Sequence, residues 1–282
     1  MKLVRYGTSG QERPGIVDSQ GRLRDLTAHV KDISPQILSS AELDTLARID
    51  IDALPLVEDQ SVRLGPPVSA VGKVICIGLN YTDHAAEVGL PIPVEPTIFI
   101  KGAKPTGAND PVMLPRNAEK GDWEVELGIV IGREGLYVEE ANALDYVAGY
   151  CVVNDLSERS YQMDRGGQWT KGKSFPGFAP IGPWLVTADE LPDIGERSIW
   201  LEVNGHRYQN GNTRNLIANV QQIVSYVSQF YQLQPGDVIA TGTPAGVGLG
   251  QKPPVFLKPG DVVTLGIEGL GNQCQKIVAW QD

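Results

Sequence analysis

"GDWEVELGIVIG", residues 121–132, decides how this chain is read. Side chains alternate across a strand. Trp123, Val125, Leu127, Ile129 and Ile131 therefore share one face, and Glu124, Glu126, Gly128 and Val130 the other. A half-buried strand with one solvated face has this pattern. Two features argue against it: the second face turns small and apolar at Gly128 and Val130, and no Lys or Arg alternates with the two like charges. If that face is enclosed, a cation must sit by the carboxylates or one of them must hold a proton.

A third carboxylate has a similar setting. "AGYCVVNDLSER" runs apolar up to Asn154-Asp155, which puts Asp155 at the end of a buried strand. Three oxygen ligands with no paired His or Cys suit a hard divalent ion, Mg²⁺ or Mn²⁺, with positions left for water and substrate. An E-x-E pair and a distant Asp do not by themselves separate this site from a solvated strand.

"NYTDHAAEVGL" offers Tyr81, His84 and Glu87. Asp83 resembles an N-cap, so a short helix is expected to open there, with His84 and Glu87 on one face. A carboxylate that orients an imidazole makes a water-activating dyad; a surface helix pair is the alternative. His29 and His206 have no such neighbour. "QWTKGKSFPGFAPIGPW" carries Lys171 and Lys173 in a Gly/Pro-rich loop, where a lysine directed into an acidic pocket would stabilise an oxyanion. "TGTPAGVGLG", residues 241–250, lacks the G-K-[ST] of a phosphate loop, but its N–H groups could cradle a carboxylate. No Gly-x-Ser-x-Gly elbow is present.

Working outward, the chain has 282 residues, 41% hydrophobic, and a net charge of −10. That supports a large core and argues against nucleic acid or an anionic membrane as partner. No apolar run approaches the ~18 residues of a membrane span. "MKLVRYGTSG" has no apolar signal region. Cys76, Cys151 and Cys274 are widely spaced, and the first two sit in apolar runs as buried reduced thiols would. A soluble cytoplasmic protein is expected.

"KLVRYG", "GIVD" and "GRLRDL" read as a small N-terminal strand group, and "SPQILSSAELDTLARI" as one or two short helices. A boundary is expected near residue 66, giving a small domain over 1–65 and a larger one over 66–282. In the larger part strands outnumber helices without regular alternation, so a β-rich α+β core is expected. Asn204-Gly205 is a strong hairpin signal. One amphipathic helix is expected over roughly 214–231.

Together, "GLNYTDHAAEVG", "PTIFIKG", "DWEVELGIVIG", "GYCVVNDLSERSYQ", "KGKSF", "QNGNTRNLI" and "PGDVIATGTPAGVG" stand in the order typical of the fumarylacetoacetate hydrolase family, which residues 66–282 resemble. The resemblance implies a mixed β-sandwich roll with a small N-terminal α/β appendage, usually a homodimer. It implies one Mg²⁺ or Mn²⁺ per subunit on Glu124, Glu126 and Asp155, with His84 and Glu87 activating water and Lys173 as the catalytic lysine. Tyr81, Lys101, Arg159, Gln162 and Thr243 match positions that contact substrate or support the site. Many relatives have Asp after "KSF", where this chain has Pro176-Gly177. The implied chemistry is hydrolysis of a 2,4-diketo acid to pyruvate and a carboxylic acid. Other metal–enolate reactions on the same site, such as oxaloacetate decarboxylation, ureidoglycolate cleavage, isomerisation or hydration, are the alternatives. "MDRGGQWTKGKS" is similar to the branch acting on sugar-derived 2,4-diketo-3-deoxy acids.

Overall fold

In the computed structural model, which describes residues 1–281, Val125–Ile131 lies within a nine-stranded sheet. On one side it pairs antiparallel with Val238–Ala240, which runs parallel to Val74–Gly78; Thr97–Ile100 closes that edge. On the other side come Val147–Asn154 and Ile181–Thr187, both antiparallel. Lys2–Tyr6 then pairs with Ile181–Thr187 and is followed by Arg13–Val17 and Leu23–Asp25. Residues 1–65 thus add their strands to the sheet that carries Glu126.

A second, five-stranded sheet runs in the order His206–Asn212, Ser198–Val203, Val262–Ile267, Gly271–Val278, Val112–Met113. Asn204 and Gly205 turn its first hairpin, both with positive φ, at 53° and 79°. That conformation explains the Asn-Gly pair. The architecture is the β-rich mixed fold expected from the strand count.

The alternation in 123–131 sorts side chains into two cores. Trp123, Val125, Leu127, Ile129 and Ile131 join Ile199, Leu201, Val263 and Leu265 of the facing sheet. This is sandwich packing. Val130 on the opposite face joins Cys76, Cys151, Val153 and Ala240, covered by Leu26, Ile33, Leu38, Leu43 and Leu46 of the N-terminal segment. Neither face is wet, and Glu124 and Glu126 are only 7% and 2% exposed. Gly128 is small for a steric reason: a Cβ there would come 2.7 Å from Val153 Cγ2 and 2.8 Å from Cys151 Sγ.

Three local expectations are corrected. The 121–132 stretch is two strands, Gly121–Asp122 and Val125–Ile131, because the first pairs instead with Ser157–Glu158. The amphipathic helix is Val220–Val227, shorter than expected. The Asn219 side chain accepts the Gln222 N–H while the Gln222 side chain accepts the Asn219 N–H. That capping box starts the helix late. Leu216 bridges to Tyr81, and Ile217 donates its N–H to the Asn80 carbonyl. The helix Thr82–Val88 is capped by Tyr81, with Asp83 in its first turn. No helix among the described residues is long and apolar enough to cross a membrane.

Candidate active and metal-binding site

Strand register brings the three carboxylates together. Val125 lies opposite Asn154, and the Asp155 N–H donates to the Glu124 carbonyl at 2.9 Å. One carboxylate oxygen each from Glu124, Glu126 and Asp155 lies within 4.8 Å of the others, all buried. Lys173 answers part of this charge: its Nζ donates to Glu124 Oε2 and Asp155 Oδ2, both at 2.7 Å. Arg159 Nη2 lies 2.7 Å from Glu124 Oε1, and the Lys101 ammonium pairs with Asp155 Oδ1. Glu126 Oε2 accepts the Gly242 N–H at 2.8 Å.

This uneven supply of cations pushes the acidities apart. Burial would raise the Glu124 carboxyl, but Lys173 and Arg159 bring it down to about 2. Among the described residues Glu126 has no cation at contact distance. Burial first, then Asp155 and Glu124, lifts it well above the carboxylate range. Burial would depress the Lys173 ammonium, yet Asp155 and Glu124 raise it instead. The set fits a hard divalent cation. All candidate ligand atoms are carboxylate oxygens, they are buried within 4.8 Å of one another, and burial with Asp155 and Glu124 beside it holds Glu126 well above the ordinary carboxylate range.

Beside this cluster, His84 Nδ1 lies 2.9 Å from Glu87 Oε2. Glu87 Oε1 in turn accepts the Gly246 N–H at 2.9 Å. The Gly-rich loop therefore does hold a carboxylate by its backbone. A Cβ at Gly250 would come 2.4 Å from Glu87 Cδ, so this close approach needs glycine.

His84, Glu124, Glu126, Lys173, Arg159, Gln162 and Thr243 line one cavity of about 290 Å³. Lys101 and Tyr81 are not among its lining residues. The Lys101 ammonium donates to the carbonyls of Leu156 at 2.9 Å and Lys173 at 2.6 Å, so it braces the segment carrying Lys173. Tyr81 is buried, and its hydroxyl has no hydrogen-bond partner among the described residues. Lys171 lies outside, donating to the Arg165 carbonyl. Pro176 and Gly177 do not line the cavity.

Two buried residues of this region carry no separate signal in the sequence. Asp122 Oδ2 accepts from Arg159 Nε at 2.8 Å and from the Leu249 N–H at 3.0 Å, while its Oδ1 accepts the N–H groups of Trp123 and Gly248. It ties Arg159 to the loop that holds Glu87. Its position just before the paired glutamates was the available clue. Gln209 accepts the Val125 N–H and donates to Thr243 Oγ1 and the Pro244 carbonyl. Nothing in "YQNGN" marks it.

Comparison with known proteins accords with this geometry. A family model described as fumarylacetoacetate (FAA) hydrolase C-terminal matches residues 73–278. A Burkholderia orbicola protein that bears only a general hydrolase name is 60% identical over 278 residues, 98% of each chain. The solved fumarylacetoacetate hydrolase of Exiguobacterium antarcticum is 36% identical, with a TM-score of 0.87 over 99% of this chain and 100% of that one. The maleylpyruvate hydrolase of Sphingobium sp. SYK-6, solved with manganese(II) and pyruvate, is 29% identical, with a TM-score of 0.83 over 100% of both chains.

Proposed function

This chain belongs to the fumarylacetoacetate hydrolase family, and we propose that it is a divalent-metal-dependent hydrolase of 2,4-diketo acids. It would cleave the C3–C4 bond to yield pyruvate and a carboxylic acid. The observation that carries this reading is the meeting of His84, Lys173, Glu124 and Glu126 in one cavity. A base, a cation and hard ligands there face the same volume.

Glu124, Glu126 and Asp155 would hold a Mg²⁺ or Mn²⁺, which when bound supplies positive charge for the substrate's carboxylate and 2-keto oxygens. The Sphingobium enzyme, solved with manganese(II) and pyruvate, supports that choice. Glu87 fixes the His84 imidazole through Nδ1. That leaves Nε2 to accept a proton from water as its oxygen attacks C4. The C3–C4 bond then breaks, and its electron pair passes to the pyruvate fragment as an enolate. The fixed ammonium of Lys173 offsets that negative charge. A proton returns to C3, so the elements of water are divided between the two products. Arg159, clamped by Asp122 and Glu124, sets the polar wall beside Gln162.

The test is pyruvate release from acylpyruvates with Mg²⁺ or Mn²⁺, compared with EDTA. Turnover should require metal, and His84→Ala should lower it about 10²–10⁴-fold. Metal-dependent decarboxylation of oxaloacetate, unaffected by His84→Ala and without cleavage of any acylpyruvate, would replace this reading with a decarboxylase.

A further inference from the structure

The cavity is divided. Its charged part is lined by Glu124, Glu126, His84, Arg159 and Lys173, and its remainder largely by Leu79, Leu90, Phe99, Met163, Trp169 and Leu249. The apolar part begins beside the charged groups. Lys173 Nζ lies 5.2 Å from the centroid of the Phe99 ring, and Phe99 meets Trp169 edge to face at 5.5 Å. Trp169 is seated on Gly78, where a Cβ would come 2.5 Å from Trp169 Cζ3. Leu90 and Met163 are 55% and 42% exposed, which leaves large apolar side chains for a ligand to cover.

Two polar atoms near this wall, Thr243 Oγ1 and Gln162 Oε1, are already engaged. The Thr243 hydroxyl donates to the Val125 carbonyl at 2.8 Å and accepts from Gln209 at 2.7 Å. Gln162 Oε1 accepts from Arg159 at 3.0 Å. A chain of hydroxyls would leave water and find few partners here. An alkyl or aryl group would bury itself against Phe99 and Trp169.

From this division we infer that the group carried on C4 of the substrate is apolar, an alkyl or aryl substituent and not a polyol. The inference rests on the 2,4-diketo acid reading for which carbon bears the group. The stretch that resembles the sugar-acid branch, "MDRGGQWTKGKS", itself supplies Met163 and Trp169 to the apolar wall.

Two measurements on the Mn²⁺-loaded full chain test it. The first is kcat/KM for hexanoylpyruvate, benzoylpyruvate and a 2,4-diketo-3-deoxy sugar acid. The apolar members should exceed the sugar acid by about tenfold or more. The second is calorimetric binding of two ligands that lack the 4-keto group and cannot be cleaved, 4-phenyl-2-oxobutanoate and a 2-keto-3-deoxy sugar acid. The phenyl ligand should bind about tenfold tighter or better, and Trp169→Ala should shrink that ratio. Equal or tighter binding of the sugar acid overturns the inference, as does a kcat/KM order that favours it. Preferential binding of the phenyl ligand with no cleavage of any diketo acid sustains the apolar pocket and removes the hydrolase reading. Cleavage with preference for the hydroxylated acid does the reverse.

Discussion

Glu87 is held from both ends: Oε2 lies 2.9 Å from His84 Nδ1, and Oε1 accepts the Gly246 N–H at 2.9 Å. The same loop donates Gly242 N–H to Glu126 and the Gly248 and Leu249 N–H groups to Asp122. One backbone segment therefore sets the His84–Glu87 pair and a metal-ligand candidate in fixed relation.

Gly250→Ala tests that relation. The added methyl would meet the far end of the Glu87 side chain at 2.4 Å. The carboxylate should swing away while the fold stands. Hydrolytic kcat should fall about 10–100-fold as the imidazole loses its orienting partner. Calorimetric Mn²⁺ affinity should hold. An unchanged kcat would mean that Glu87 does not position His84.

Lys173→Met removes a buried cation that two carboxylates share. Breaking such a pair leaves charge uncompensated, at a cost of about 3–5 kcal/mol. The metal-free variant should unfold at markedly lower denaturant concentration, and Mn²⁺ should restore part of the loss. Turnover should not return with it. A metal-loaded variant of full activity would remove Lys173 from the chemistry.

Glu126 should make metal binding depend on pH. Its carboxyl is raised well above the ordinary 4.5 by burial, Asp155 and Glu124. Between 4.5 and the raised value the metal-free native protein holds a proton that the unfolded chain has released. That contribution to stability is complete below the unfolded value and is lost as pH rises through the native one. A bound metal must expel the same proton, so affinity should climb about tenfold per pH unit through this range and then level. Calorimetry in buffers of different ionisation enthalpy should find close to one proton released. Glu126→Gln mimics the protonated form. It should abolish Mn²⁺ binding while leaving the metal-free protein as stable as before.

Asp122→Asn places an amide N–H₂ among groups that are themselves donors, Arg159 Nε and the Leu249 N–H. The loss should be about 1.5–3 kcal/mol in denaturant unfolding. Turnover should fall along with it, because Arg159 and the loop are no longer tied. Wild-type stability in this variant would show the clamp to be dispensable.

Much of this was legible where local chemistry forces structure. The alternation from Trp123 to Ile131 specified two faces, and Asn204-Gly205 specified a hairpin. Glu124, Glu126 and Asp155 could be grouped because a buried carboxylate needs an explanation. The rest depended on partners far along the chain. Whether the Glu126 face was wet turned on Leu38, Leu43 and Leu46, more than 75 residues away. Asn219 ended one helical pattern by capping another, a competition that apolar periodicity does not register. Lys101 matched a position that contacts substrate or supports the site, and only the fold shows its ammonium on two backbone carbonyls and against Asp155. Gln209 had no signal because its role lies wholly in three hydrogen bonds, one to Val125 of the facing sheet and two to the loop residues Thr243 and Pro244.

The N-terminal segment supplies none of the groups that line the cavity, yet it governs the medium in which they act. Its leucines and Ile33 seal the back of the strand pair bearing Glu126 and Asp155, over Val130, Cys151 and Val153. An opening there would admit water, and Coulomb interactions weaken in proportion as the local dielectric rises. The pull of Lys173 on Glu124 and the elevation of Glu126 would both relax. Residues 1–65 thus act as insulation, and a chain shortened to residues 66–282 would keep Glu124, Glu126 and Asp155 but not the field around them.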